Sequence, residues 1–261
     1  MIQGKALVTG AGKRLGRAMA LGLAQRGCPV AIHYANSDTG ARETAREIEA
    51  LGVEVAVLQA DLLDEAQAAT LVGRAAEALG GPLSILVNNA SIFEYDNIET
   101  ATRESWDRHL ESNLRAPFRL TQDFAHQAPP AATDAAGEPV AQAAVINLID
   151  QRVRKLTPEF MTYTIAKAGL WAFTQTAAQA LAPGIRVNAI GPGPTMQGAR
   201  QTTEHFARQR AATVLGRGAD PEDIVAAMGY ILESKSLTGQ LLCIDGGQHL
   251  AWQTPDVLGA E

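Results

Sequence analysis

Runs of consecutive apolar residues, strand-length and unalternating, recur along the chain at residues 5–9, 30–34, 53–59, 83–87, 143–149, 185–190 and 240–244. A strand that is apolar on both sides suits a parallel sheet covered on each face. Longer Ala-rich amphipathic stretches fill the intervals, among them residues 17–26, closed by Gly27, and 165–182. The alternation predicts an α/β fold: one Rossmann-type, doubly wound parallel sheet of about seven strands with helices on both faces and right-handed crossovers. A single domain over residues 1–261 fits the length. Two stretches depart from the rhythm. Residues 127–142, rich in Pro, Ala and small polar residues, read as a surface loop after a helix ending near His126, and residues 195–218 read as a flap over a pocket or an ordinary surface helix with loops.

The first strand runs directly into Thr9-Gly10-Ala11-Gly12-Lys13-Arg14-Leu15-Gly16 and then a helix. Glycines let the backbone approach a pyrophosphate without a Cβ clash, and the free N–H groups at the helix start face the anion. A dinucleotide is therefore expected on this turn. An acid at the end of the second strand would bind a free ribose 2′-OH and repel a 2′-phosphate. That strand ends His33-Tyr34-Ala35-Asn36-Ser37. With Ser37 as a donor and Lys13 as a nearby cation, NADPH is preferred over NADH. Asp38 stays open as a ribose ligand in a shifted register or as a plain helix cap.

Tyr163 and Lys167 stand four apart in a helical stretch, so they share a face. An ammonium beside a phenol, whose ordinary pKa is about 10, favours the phenolate and makes Tyr163 a usable general acid.

Charge and composition narrow the partners. Lys and Arg total 22 against 28 Asp and Glu, a net charge of −6 with no basic block, which argues against nucleic acid. No apolar run reaches the roughly 18 residues of a membrane span, and no export signal is visible at the start, so a cytoplasmic protein is expected. Cys28 and Cys243 lack metal or disulfide spacing, and the five histidines lack paired ligand spacing, so no metal is expected.

Together, Thr9-Gly10 to Gly16, Asp61, Asn88-Asn89-Ala90, Asn113, Tyr163 with Lys167, and Pro192-Gly193 resemble the short-chain dehydrogenase/reductase family over about residues 5–247. The resemblance implies that Asp61 contacts adenine, Asn88 stabilises the cofactor-side turn, Lys167 also holds the nicotinamide ribose, Asn113 positions a proton-relay water and Thr195 meets the carboxamide. It also implies a homotetramer. Two departures are informative: Arg14 replaces a glycine of the family turn, and Asp150 stands where the family usually has serine. An ionised carboxylate there would repel the alkoxide formed from a ketone, whereas it can accept a hydrogen bond from, or carry a proton to, a nitrogen heterocycle.

Residues 10–17, Asn88-Asn89-Ala90-Ser91-Ile92-Phe93 and Asp150 with Tyr163 and Lys167 are similar to the pteridine reductase branch. That likeness implies that Phe93 stacks on a pterin opposite the nicotinamide. It further implies that Ser91 and Arg14 contact pterin and cofactor phosphates, and that Asp150 with Tyr163 handles protons. Asn36 replaces an arginine common in that branch, which leaves phosphate selectivity to Lys13, Ser37 and Arg14. The expected activity is reduction of a dihydropterin to a tetrahydropterin. The alternatives are an oxidoreductase of a hydroxyl or carbonyl, and a dinucleotide-binding sensor with little turnover.

Overall fold

Neighbouring side chains on β1 (Lys5–Val8) part to opposite cores, Ala6 and Val8 into one and Leu7 into the other. This is the consequence of a fully apolar strand in a sheet packed on both sides. The computed structural model describes residues 2–198 and 200–254. In chain order the elements are β1, α1 (Arg14–Ala24), β2 (Val30–Tyr34), α2 (Asp38–Ala50), β3 (Val55–Gln59), α3 (Glu65–Ala78) and β4 (Leu83–Asn88). Then come α4 (Arg103–Leu110), α5 (Ala116–Gln127), β5 (Ala132–Thr133), β6 (Pro139–Val140), β7 (Ala143–Leu148) and α6 (Met161–Leu181). The last are β8 (Ile185–Pro192), α7 (Thr203–Ala211), α8 (Pro221–Glu233) and β9 (Leu241–Ile244).

The seven-stranded sheet has the order β3-β2-β1-β4-β7-β8-β9, and every pairing in it is parallel. Helices α1, α2 and α8 bury Met19, Ile48 and Met228 on one face, while α3, α5 and α6 bury Leu71, Phe124 and Ala177 on the other. Strand order reverses between β1 and β4, which opens a crevice at the carboxyl ends of the strands. The Gly-rich turn, the loop after β4, Asp150 and Pro192-Gly193 all follow strands at that edge.

The seven expected strands are all present, shifted at their ends by at most two residues. Helix α1 begins at Arg14, three residues earlier than expected, and α6 at Met161, four earlier. The loop at 127–142 carries the small antiparallel hairpin of β5 and β6, closed by Asp134 Oδ1, which accepts from the amides of Ala136 and Glu138. Residues 195–218 form loop, α7 and loop, with Arg210 donating to the carbonyls of Pro194, Gly218 and Ala219 and so fastening both ends of the segment together. Among the described residues no helix is long and apolar enough to cross a membrane.

One feature has no counterpart in the sequence pattern: Glu111–Arg115 forms a π-helical turn between α4 and α5, so residues 103–127 make one helix with a single widened turn. Such turns are uncommon and often lie at functional sites; here it carries Asn113, which is fully buried.

Deep in the sheet, Asn147 on β7 accepts from Asn88 Nδ2 at 2.9 Å and donates to Thr174 Oγ1 at 2.9 Å, tying β4, β7 and α6 together. Removing it takes one buried hydrogen bond each from Asn88, which keeps Thr121, and from Thr174, which keeps the Leu170 carbonyl, a loss of about 0.5–1.5 kcal/mol per bond. Asn147→Ala should therefore lower the urea midpoint with an unchanged slope, and a midpoint equal to the parent's would refute the role.

Candidate active site

The glycines of the first turn are dictated by contact. Gly10 has φ +64°, and a Cβ on Gly16 would lie 2.3 Å from the Gly10 carbonyl oxygen. A Cβ on Gly12 would come 2.4 Å from Ser37 Oγ, so Ser37 sits against this turn, and Lys13 beside it is exposed. The first amides of α1 have no partners within the helix. Glycine-lined backbone, helix amides, a serine hydroxyl and a lysine together fit a dinucleotide's phosphates. Leu15 packs against the core below.

The turn is pinned from two sides. His33, fully buried, accepts the Gly10 N–H at Nδ1 (3.2 Å), and its Nε2 lies 3.0 Å from the Ala60 carbonyl. These partners place the ring proton on Nε2, and burial holds the pKa below the ordinary histidine value. From the other side Thr9 Oγ1 accepts the amides of Asn89 and Ala90, while Asn89 Nδ2 donates to the Thr9 and Gly10 carbonyls. Asn88, expected to steady this turn, points instead into the Asn147 cluster in the core; Asn89 does the steadying. A histidine inside an otherwise apolar strand was the available signal for His33. Asn89 gave none apart from its neighbour.

At the end of β2, Asp38 takes neither of the roles left open for it. Its carboxylate accepts from Tyr34 Oη (2.6 Å) and Arg42 Nε (2.8 Å), which hold its pKa below the usual range, the arginine foremost. A carboxylate already paired with a cation opposes a ribose phosphate less than a bare one. Asp61 is exposed and makes a local turn to the Leu63 amide.

Arg14 keeps the left-handed conformation of the glycine it replaces, φ +54°, at roughly 1–2 kcal/mol of strain. Its guanidinium donates to the carbonyls of Met196 (3.0 Å) and Gln197 (2.6 Å), and so tethers the start of the 195–218 segment. Thr195 is buried and donates to the Gly193 carbonyl.

The reacting groups meet where β7 ends against α6. Tyr163 Oη donates to Asp150 Oδ2 at 3.0 Å, and Asp150 Oδ1 accepts the Arg152 amide at 2.8 Å. Lys167, 2% exposed, donates from Nζ to the Leu148 carbonyl at 2.7 Å. Burial raises the Asp150 pKa above the usual carboxylate range. Burial, then the Asp150 charge, pushes Tyr163 well above an ordinary tyrosine, and burial lowers Lys167 to about 8. The sequence suggested that Lys167 would draw the phenol's pKa down. In the structure desolvation outweighs it, and the ammonium faces Leu148 rather than Tyr163 Oη.

Asn113, on the π turn, accepts the Ile92 amide at 2.9 Å and donates to the Ile92 carbonyl at 2.8 Å. Its side-chain amide holds the loop of Ser91, Ile92 and Phe93. Ser91 is exposed and its hydroxyl is a hydrogen-bond neighbour of Tyr163. Phe93 does not stand alone. It stacks on Phe160 (centroids 4.4 Å, planes 12° apart) and meets Tyr163 edge-on at 4.7 Å, yet it remains 44% exposed, which leaves surface for a flat ligand. Phe160 was not foreseen; it has φ +54° at the entrance to α6. The Arg200 guanidinium lies 5.4 Å and 5.9 Å from the two stacked ring centres, and it donates to the Phe93 carbonyl.

The residues fit a hydride-transfer site, with an anion-binding turn, a buried phenol and ammonium, and an open aromatic face at one strand edge. A family model described as enoyl-(acyl carrier protein) reductase matches residues 10–249. The 3-oxoacyl-[acyl-carrier-protein] reductase FabG of Staphylococcus aureus is 30% identical over 94% of this chain and 98% of its own. An L-rhamnose 1-dehydrogenase (NAD(P)(+)) of Sphingomonas is 32% identical over 97% of this chain and 99% of its own. Among solved structures, FolM alternative dihydrofolate reductase 1 from Brucella suis, in complex with NADP, superposes with a TM-score of 0.90 at 42% identity, covering 98% of this chain and 100% of that one. With the phosphate turn, the strand order and the buried tyrosine and lysine all in place, the chain belongs to the short-chain dehydrogenase/reductase family.

Proposed function

We propose that this protein is an NADPH-dependent reductase of a pterin that converts a dihydropterin to a tetrahydropterin. The observation that carries the reading is the partly buried hydrogen bond from Tyr163 Oη to Asp150 Oδ2. A carboxyl group at this place serves a C=N substrate better than a ketone. The likeness to a Brucella FolM structure holding NADP supports both cofactor and substrate class.

A nicotinamide dinucleotide bound on the first turn supplies hydride. Ser37 and Lys13 bind at its phosphate end. Lys167, with Tyr163, would hold the nicotinamide ribose, as the family resemblance implies. Asp150, with its raised pKa, holds a proton more readily than an exposed aspartate, and Tyr163 keeps its own. Tyr163 Oη gives its proton to the substrate ring nitrogen, Asp150 passes its own to the phenolate and so restores the bond between them, and solvent reprotonates the carboxylate, which is only partly buried. Phe93 covers one face of the heterocycle, and Ser91 borders it.

NADPH oxidation with dihydrobiopterin, dihydromonapterin and dihydrofolate tests the assignment. Turnover of at least one is expected, and silence on all three beside brisk reduction of ketones would replace it with the carbonyl reading. Tyr163→Phe should lose the chemical step while NADPH still binds. Asp150→Ser should lose pterin turnover selectively, and pterin turnover equal to the parent's would remove the basis of the substrate choice.

Lys167 loses its proton as pH rises through about 8, so a step that uses the ammonium declines above that pH. The kcat profile should fall there in the parent and stay low and flat in Lys167→Met; a parent rate still climbing well past that pH would contradict an ammonium role.

A homotetramer in the cytoplasm completes the reading. An open groove of about 780 Å³ between α8 and β9, bordered by the exposed Tyr230 and Leu250, supports burial against another copy. Sedimentation should return the mass of four chains, and a monomer mass would overturn it.

A further inference from the structure

Beneath Tyr163 lies a polar cluster that the chemistry above does not use. Asp96, His109 and Thr162 come from the loop after β4, from α4 and from the first turn of α6, and none is more than 2% exposed. Three polar side chains shut away from water persist only if their hydrogen bonds are met. Here they are met in one consistent pattern. The Glu94 amide donates to His109 Nε2 at 3.1 Å, which puts the ring proton on Nδ1, and Nδ1 lies 2.7 Å from Thr162 Oγ1. The Thr162 hydroxyl then has one direction left for its own proton, toward Asp96 Oδ2, to which it is bonded. Asp96 Oδ2 also accepts from Ser105 Oγ at 3.1 Å, and Oδ1 accepts the Thr162 amide at 3.1 Å. The Asp96 carbonyl accepts the amide of Phe160 at 2.8 Å.

The placement of these bonds matters more than their number. His109 holds Glu94, next to Phe93, and Thr162, next to Tyr163. Asp96 holds the amides of Phe160 and Thr162, on either side of Met161, and so maintains the left-handed backbone at Phe160 that sets this ring on Phe93. Apolar residues of similar volume would leave the amides of Glu94 and Thr162 without acceptors and would not fix the direction of the α6 entrance. We propose that His109, Thr162 and Asp96 are positioning residues that lock the Phe93 loop and the proton-donating end of Tyr163 into one unit. The inference rests on Tyr163 as the proton donor and not on the identity of the substrate.

Thr162→Val removes the hydroxyl at constant shape, and Thr162→Ser restores it. With NADPH and dihydrobiopterin, kcat should fall roughly ten- to hundredfold in the valine variant, the size of loss that a small misplacement of a reacting group produces. The Kd for NADPH, read by fluorescence, should stay within about twofold of the parent, and the serine variant should recover most of kcat. A valine variant with the parent's kcat, or one whose loss serine does not rescue, overturns the proposal. Two readouts stand apart from activity. Nitrogen-15 NMR of the whole protein should find His109 protonated on Nδ1 and bare on Nε2, and the opposite tautomer overturns the network. A crystal structure of Thr162→Val should show Tyr163 Oη displaced from Asp150; an undisturbed Tyr163 and Phe160 overturn the positioning role. If the parent itself is silent on dihydrobiopterin, dihydromonapterin and dihydrofolate alike, the pterin assignment fails while these two measurements still decide the proposal.

Discussion

Exclusion of water from the junction of β7 and α6 governs the chemistry of this molecule. Asp150, Tyr163 and Lys167 share a pocket in which every charged form is costly, so burial moves the carboxyl and the phenol upward and the amine downward. The three therefore titrate as a coupled set, and the protons belong to the group more than to any member. Such a set can lend a proton without holding a large standing charge. The sheet makes this possible by delivering Asp150 from the end of one strand and Tyr163 and Lys167 from successive turns of the helix that follows it.

Around that pocket, loops are held by side chains that touch no reacting atom. Thr9 and Asn89 lock the turn after β1 to the end of β4, His33 holds it from β2, and Asn113 fixes Ile92. Each supplies both a donor and an acceptor, or accepts from backbone amides that would otherwise be buried unmatched, and so converts a flexible connection into a defined surface. The phosphate turn and the Phe93 loop are thereby built against each other, and the 195–218 segment is drawn to the same place by Arg14 and Arg200.

The parallel sheet was legible because its signal is additive: every core strand is apolar on both faces, and the glycines of the first turn mark a close backbone approach that no other residue permits. Tyr163, Lys167 and Asp150 were legible through spacing and resemblance, and they do converge. What escaped were facts set by long-range geometry. Asn88 and Asn89 are identical letters side by side, and only strand orientation sends the first into the core and the second to the turn. The phenol's pKa is set by burial and then by the Asp150 carboxylate, and nothing in a four-residue spacing to Lys167 decides that. Phe160 reads as an ordinary loop aromatic until Asp96 is known to hold its amide. Nothing in the sequence shows that Arg14 reaches the carbonyls of Met196 and Gln197.

The widened turn at Glu111–Arg115 has a consequence of a different kind. An α-helix advances about 100° per residue, so a turn that houses one extra residue sets everything after it out of step with everything before. Asn113 faces inward while α4 upstream and α5 downstream each keep their own contacts, His109 toward α6 and Phe124 into the core. Loss of one residue here would return the segment to a regular α-helix with both halves still seated, and what would go is the inward presentation of Asn113. The extra residue thus serves the loop that Asn113 holds and not the two helical halves it joins.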